Sequence, residues 1–431
     1  MEEISELSGL PKGKDFESYI ASIFQSFGYY VEKNIEEEIL ELDAVVTNYD
    51  EPHLLLKTLI EVKSGHWGFS DLFKIYGWMG YIGIPKGIFI VQEEKKDTIE
   101  KFKEKIKSQL NIDLAVVSDQ DLDKIKNIFS EFFRNKTTND TDILIWQYSY
   151  NLENSLLQKL SNLKKTNKGK KCYDALWDYY LTINNRIFFK EIIIEKTNEL
   201  YNTYKTSPNI SAKCGHELIG EPFEDNYDRV PDEIFKEASS DPYSIINIST
   251  FIEHKARLAV LKTAIDYLLN KNNVDIDTYI EEDWMLAFQP DNFKNLLNKI
   301  STHKYFYRYP VFWQWFMWFF GGFILEDYKE KEYEILSHKT GIPVEEIENA
   351  LSAYDILFPT SGGWFSRVNT SISNIKEIKM FPIPFKGIGV EYRRLIYTES
   401  GKLEELEPKL NGKYTLYDLQ NRRDLWLKSI K

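Results

Sequence analysis

The chain has 431 residues, of which 43% are hydrophobic and 28% charged, and it carries a net charge of −13. That balance is expected of a soluble globular protein with room for two or three domains, and it argues against a protein that grips nucleic acid by bulk electrostatics, since phosphate binding rests on Lys and Arg. Two cysteines, Cys172 and Cys214, are too few for a disulfide framework, and residues 1–6 are acidic with no apolar leader, so a reducing cytoplasm is the expected location.

The first predicted element is a helix over residues 14–27, because Phe16, Ile20, Ile23, Phe24 and Phe27 recur at helical spacing; Gly28 then takes the left-handed position that ends it. Strands are predicted at 29–33, 41–47 and 54–63, with the turn NYDEP at 48–52 between the second and third. Next come a helix at 71–82, a buried strand at 87–92, a lysine-rich amphipathic helix at 97–110, a strand at 113–118 and a closing helix at 119–133. The early strands read as an antiparallel meander, and the alternation of strand and helix after residue 54 reads as parallel pairing. The expected class is an α/β domain, a mixed sheet flanked by helices, over residues 1–135.

Residues 135–142, NKTTNDTD, read as a polar linker. A mainly α-helical, aromatic-rich domain is expected over 136–330. Within it, 164–171 (KKTNKGKK) reads as a solvated loop, with a phosphate-contacting arm as the alternative, and 207–242 as a long loop region. The run VFWQWFMWFFGGFIL at 311–325 is shorter than the about 20 apolar residues a membrane span needs, so a buried core helix is expected, with an interface or membrane-touching segment as the alternative, and no membrane partner. In the last part, 331–431, Ser337, Gly341, Ile342, Ile347 and Leu351 fit a helix-turn-helix, and 358–365 with Gly362 and Gly363 would begin a wing. The second helix carries Glu345, Glu346 and Glu348, so a winged-helix-like end used for packing or protein contacts is expected rather than one that reads DNA.

Chemistry concentrates in two apolar runs, Leu42-Asp43-Ala44-Val45-Val46 and Leu59-Ile60-Glu61-Val62-Lys63. Side chains alternate along a strand, so Glu61 and Lys63 share a face, and Asp43 joins them if the two runs pair. Charges placed in apolar runs are costly unless they serve something. Two carboxylates can hold a divalent ion, and an ammonium beside them can meet the charge that builds on phosphorus. The plain alternative is a surface ion pair with a solvated Asp43.

These runs, with Asp15-Phe16-Glu17 opening the first helix, Gly28-Tyr29-Tyr30-Val31-Glu32 after it, the strand Lys86-Gly87-Ile88-Phe89-Ile90-Val91 and the closing Asp113-Leu114-Ala115-Val116-Val117-Ser118 with Asp121-Leu122, give residues 12–134 a resemblance to the PD-(D/E)XK nuclease superfamily. Within it they are most similar to the Mrr-like restriction endonuclease domain. The resemblance implies a restriction-endonuclease-like fold and a metal-dependent endodeoxyribonuclease, a hydrolase acting on phosphodiester bonds. Asp43 and Glu61 would be metal ligands with the backbone carbonyl of Val62, Lys63 would orient or activate water and stabilise the transition state, and Glu17 would hold a second ion or position water. Glu61 stands where many Mrr-like sequences have glutamine, and glutamate is also accepted across the superfamily. The implied cofactor is Mg²⁺, with Mn²⁺ as a substitute, and the implied partner is DNA, with RNA left open. A restriction or anti-phage defence effector regulated by its C-terminal region is implied, with a homodimer or a partner protein as further expectations. The rival reading is a catalytically inactive nuclease-like protein that binds nucleic acid or senses a partner.

Other residues have plainer readings. His66 and Trp67 follow the E-x-K run and read as loop residues near phosphate at most. Cys214-Gly215-His216-Glu217 is half a metal site with no second half nearby. Glu253-His254-Lys255-Ala256-Arg257 reads as a solvated helix face, and the aromatics of 305–320 as core rather than a base-stacking platform.

Overall fold

The computed structural model describes residues 10–37, 40–52, 55–92, 99–163, 170–172, 212–224, 231–233, 245–271, 291–318 and 324–357, the strand segments 367–368, 375–380, 394–398 and 403–404, and isolated residues 165, 174, 176–177, 180 and 320. The chain divides into two compact units, one of Met1–Tyr49 with Leu55–Asn151 and the other of Asp50–Leu54 with Leu152–Ile430.

The first unit is a five-stranded mixed sheet with helices. Its elements in order are α1 (Lys14–Ser26), β1 (Tyr30–Glu37), β2 (Leu40–Asn48), β3 (Leu56–Lys63), α2 (Phe69–Ile82), β4 (Lys86–Val91), α3 (Ile99–Leu110), β5 (Ile112–Val116), α4 (Leu122–Ile128) and α5 (Ser130–Phe133). The sheet order is β1-β2-β3-β4-β5; β1, β2 and β3 pair antiparallel and β3, β4 and β5 parallel. This is the meander followed by crossovers that the residue pattern predicts. The inner strand β4 is apolar almost throughout because helices follow parallel strands across the sheet faces. Helix α2 packs closely there: a Cβ on Gly87 would lie 2.7 Å from Met79 Sδ.

Helix α1 is buried along most of its length, polar residues included. Ser22 and Ser26 donate to the carbonyls of Tyr19 and Ile23 at 2.6 and 2.9 Å, and Gln25 donates to Tyr29 O at 3.1 Å, so no hydroxyl or amide of these three costs the core an unmet donor. Gly28 has φ +82°, the left-handed conformation expected of it. The Phe24 ring meets Tyr29, Phe129, Phe132 and Phe133 edge-on at 5.1–5.8 Å, which fastens the closing segment to α1.

That closing segment differs from the single helix expected over 119–133. Asp121 caps a later start by accepting the amides of Asp123 and Lys124, and the helix breaks at Phe129, which enters the Phe24 cluster. The polar run after it is shorter than expected. Asn139 accepts the amide of Asp142 at 2.9 Å, and α6 (Asp140–Leu163) begins inside the predicted linker.

The described part of the second unit is largely helical, with helices Ile245–Lys271, Asp291–Ile300, Tyr309–Trp318, Lys329–Thr340 and Val344–Leu357. Every residue of Tyr309–Trp318 is buried, so this part of the aromatic run is core as read from sequence, but the helix is shorter than the one expected over 311–325, and Ile324–Leu325 is a strand. Among the described residues no helix is long and apolar enough to cross a membrane. Lys329–Thr340 and Val344–Leu357 are joined by a tight turn in which Gly341 has φ +70°, and Ile342, Ile347 and Leu351 are fully buried. The wing predicted at 358–365 lies outside the described residues. The long loop expected over 207–242 is helical at 212–219, a helix ended by Gly220 at φ +81°.

Candidate active site

Pairing of β2 with β3 runs from Asn48↔Leu56 to Ala44↔Ile60. Beyond that last pair, the Asp43 carboxylate takes over from the backbone: its Oδ2 accepts the Val62 amide at 2.8 Å. Asp43 is thereby fixed beside Glu61 and Lys63 at the end of β3. Lys63 Nζ lies 3.4 Å from Glu61 Oε1, and Lys74 Nζ, reaching over from α2, lies 4.0 Å from the same oxygen. Glu61 is 3% exposed, and its second oxygen, Oε2, has no hydrogen-bond partner.

Helix α1 enters the same corner. The Gly13 amide donates to Ser64 Oγ at 2.9 Å, which ties the start of the helix to the residue after Lys63. Glu17, one turn on, pairs with Lys14 at 3.2 Å, and Lys14 also holds Glu41 at 2.8 Å. Three of the four predicted catalytic residues, Asp43, Glu61 and Lys63, come together, and the Glu17 charge is felt by both acids.

The electrostatics are those of crowded acids. Burial pushes the Asp43 carboxyl up to about 8, with the charges of Glu61 and Glu17 adding to it against the Val62 hydrogen bond and Lys14. Glu61 is raised as well, mainly by burial, with Lys63 and Lys74 opposing. Lys63 is raised: burial works against its charge, but Glu61 and Asp43 outweigh it, so the side chain is held as an ammonium. Lys14 is raised too, because Glu41, Glu17 and Asp43 overcome the cost of its burial.

This donor set fits a hard divalent ion. The unpartnered Glu61 Oε2 is an orphaned buried acceptor, and two carboxylates that resist ionising together are relieved by a cation as they are by a proton. Among the described residues, no three His, Cys, Asp or Glu side chains stand close enough to hold an ion between them. Mg²⁺ asks for less, since it keeps several waters and binds through one or two carboxylates together with substrate phosphate.

The remaining candidates fall away from this corner. His66 is exposed, and Trp67 is buried against the Phe89 ring at 5.4 Å. Cys214 is buried, with its Sγ 3.7 Å from Cys172 O. Lys255 pairs with Glu153, and Arg257 donates to Tyr354 OH at 2.8 Å, so these two cations serve the interior of the second unit rather than the solvated face expected. The side chains of Glu253 and His254 lie outside the described residues. Of 164–171, Lys165, Lys170 and Lys171 are described, and all three are exposed. Lys14 and Lys74 were missed in the sequence. Both sit on helices and reach the site with long side chains, which strand alternation does not register.

No protein-family model matches this chain, and comparison with curated proteins and with solved structures finds no match either.

Proposed function

We propose that the first unit is a metal-dependent endonuclease of the PD-(D/E)XK, Mrr-like type that hydrolyses DNA phosphodiesters. The observation that carries this reading is the junction of β2 and β3, where Asp43, Glu61 and Lys63 share one corner and Glu61 keeps an unpartnered buried oxygen. Asp43, Glu61 and the Val62 carbonyl would hold Mg²⁺, which supplies Lewis acidity toward water and phosphate. Lys63, kept protonated by its neighbours, donates hydrogen bonds and opposes the negative charge that grows on phosphorus; a group held as an ammonium does not serve as the base. Glu17 stands on the α1 side as an acceptor that positions water.

In this reading the C-terminal region, with its helix-turn-helix and winged-helix-like end, restrains or directs the nuclease in restriction or defence against invading DNA. That role is inferred from the sequence resemblance.

One observation favours a rival. Among the described residues no three acids, histidines or cysteines stand close enough to share an ion, as would suit a nuclease-like fold that binds nucleic acid or a partner without cutting. The test is cleavage of supercoiled plasmid, single-stranded DNA and RNA in Mg²⁺, Mn²⁺ or EDTA by the full chain, Asp43→Ala and Lys63→Ala. Metal-dependent cutting that falls by about a hundredfold or more in both variants supports the nuclease. Equal cutting by all three proteins removes it, and metal binding without any cutting by the wild type favours the rival.

A further inference from the structure

Helix α2 divides its side chains by kind. Its buried face is aliphatic, with Leu72, Ile75, Met79 and Ile82 against the sheet. Its outward side carries rings: Phe69, Phe73, Tyr76 and Tyr81 are 46%, 65%, 49% and 53% exposed. Phe69, Phe73 and Tyr76 fall at i, i+4 and i+7, a single stripe, and Phe102 of α3 extends it, meeting Phe69 edge-on at 5.5 Å. Exposed aromatics this close together are unusual on a surface with no partner.

The outward side also has open floor. Gly77 and Gly80 lie among the rings, and a Cβ on either would meet nothing within 4 Å. Glycine weakens a helix relative to alanine, and among the described residues no neighbour requires it here. Absent side chains at these positions let flat groups approach the helix backbone.

The charges select the occupant. Asp71, the helix's one acid, is engaged at its start, accepting the Gly68 amide at 2.8 Å. The outward cation of α2 is Lys74, and α3 adds exposed Lys105, three residues on from Phe102, whereas its exposed Lys103 and Glu104 face residues 128–132 on the other side of that helix. In a chain of net charge −13 this is a locally basic, ring-covered strip. A second copy of the strip would bring lysines against lysines, whereas a polyanion with flat bases satisfies both features. Lys74 also joins the strip to the catalytic corner, since its Nζ is 4.0 Å from Glu61 Oε1 and 4.0 Å from the Trp78 ring centroid.

We propose that the outward side of α2 is a stacking platform for unpaired bases, so that the substrate of the neighbouring site is single-stranded DNA or a duplex with an unpaired segment. This rests on the nuclease reading for its substrate, but the platform can be tested without any cutting. Binding of fluorescein-labelled oligothymidylate and of the matching dA:dT duplex is measured by anisotropy in EDTA, for the full chain and for Phe73→Leu/Tyr76→Leu, which keeps apolar bulk and loses the π faces. The wild type should prefer the single strand, and the double variant should lose about tenfold or more of that affinity while its melting temperature is unchanged. Equal single-strand affinity in both proteins overturns the platform. So does light scattering that shows a wild-type dimer becoming monomeric in the variant with its oligonucleotide affinity intact, which would make the strip a self-association face. If the strand binds through the rings and neither Mg²⁺ nor Mn²⁺ supports cutting, the nuclease reading fails and the platform stands.

Discussion

The Asp43 carboxylate accepts the Val62 amide at the point where β2 and β3 cease to pair. One oxygen of Asp43 therefore closes a backbone hydrogen bond, and its position beside Glu61 is set by the sheet itself. This distinguishes two substitutions that both remove the charge. An asparagine can still accept the Val62 amide through its side-chain oxygen, and an alanine cannot. In metal-free buffer at pH 8, Asp43→Asn should melt above the wild type, and Asp43→Ala should melt below Asp43→Asn by the worth of one hydrogen bond, about 1 kcal/mol. Thermal unfolding followed by circular dichroism in EDTA checks the order; an Asp43→Ala protein as stable as Asp43→Asn would mean that the Val62 contact contributes nothing.

The metal-free protein should lose stability as pH rises. Asp43 titrates near 8 in the folded chain against 3.8 as its ordinary value, so between those two points the folded state holds a proton that the unfolded state has released. Stability falls with pH wherever the native state binds more protons, so this contribution is complete below the unfolded value, declines through the interval and levels off above about 8. Urea midpoints from pH 5 to 9 in EDTA, wild type against Asp43→Asn, read it out: the gap between the two should widen with pH. A gap that stays constant shows that Asp43 ionises normally.

Binding of Mn²⁺ at pH 7 should release protons, because an ion displaces whatever proton the acid pair retains. Calorimetry in two buffers of different ionisation heat should give about one proton released per ion for the wild type, and no binding by Glu61→Gln. Lys63→Ala should keep the ion and lose the cutting, which separates holding the metal from using it.

In the second unit, Gly341 is confined twice. Its φ is +70°, and a Cβ there would lie 3.1 Å from Arg308 Nη2. The Arg308 guanidinium donates to Thr340 O, the last carbonyl of Lys329–Thr340, a favourable place for a cation. Gly341→Ala should cost about 1–2 kcal/mol, from left-handed strain and displacement of that guanidinium. Denaturant unfolding followed by tryptophan fluorescence measures it, and an unshifted midpoint would show that the turn relaxes freely.

The first unit was legible where local pattern and tertiary context agree. Two apolar runs either side of the turn at 48–52 marked β2 and β3, Gly28 ended α1, and the E-x-K spacing put Glu61 and Lys63 on one face. What escaped depends on reach. Lys14 and Lys74 touch the acids from helices, and the Gly13–Ser64 contact joins residues 51 apart in sequence. The break at Phe129 was hidden because its cause, the Phe24 cluster, is a tertiary contact. The helix at 212–219 was hidden by Gly215 within it and by Gly220, Pro208 and Pro222 around it.

The unpartnered oxygen of Glu61 also bears on how such a chain would change over generations. Replacements that quiet the crowded acids make the empty protein firmer, and under the proposed reading the same replacements remove the ligands of its ion. A lineage released from the proposed cutting role would therefore lose Asp43 and Glu61 early, because stability alone rewards their loss, while the aliphatic face of α2 and the glycine at 28 would persist because they hold the fold.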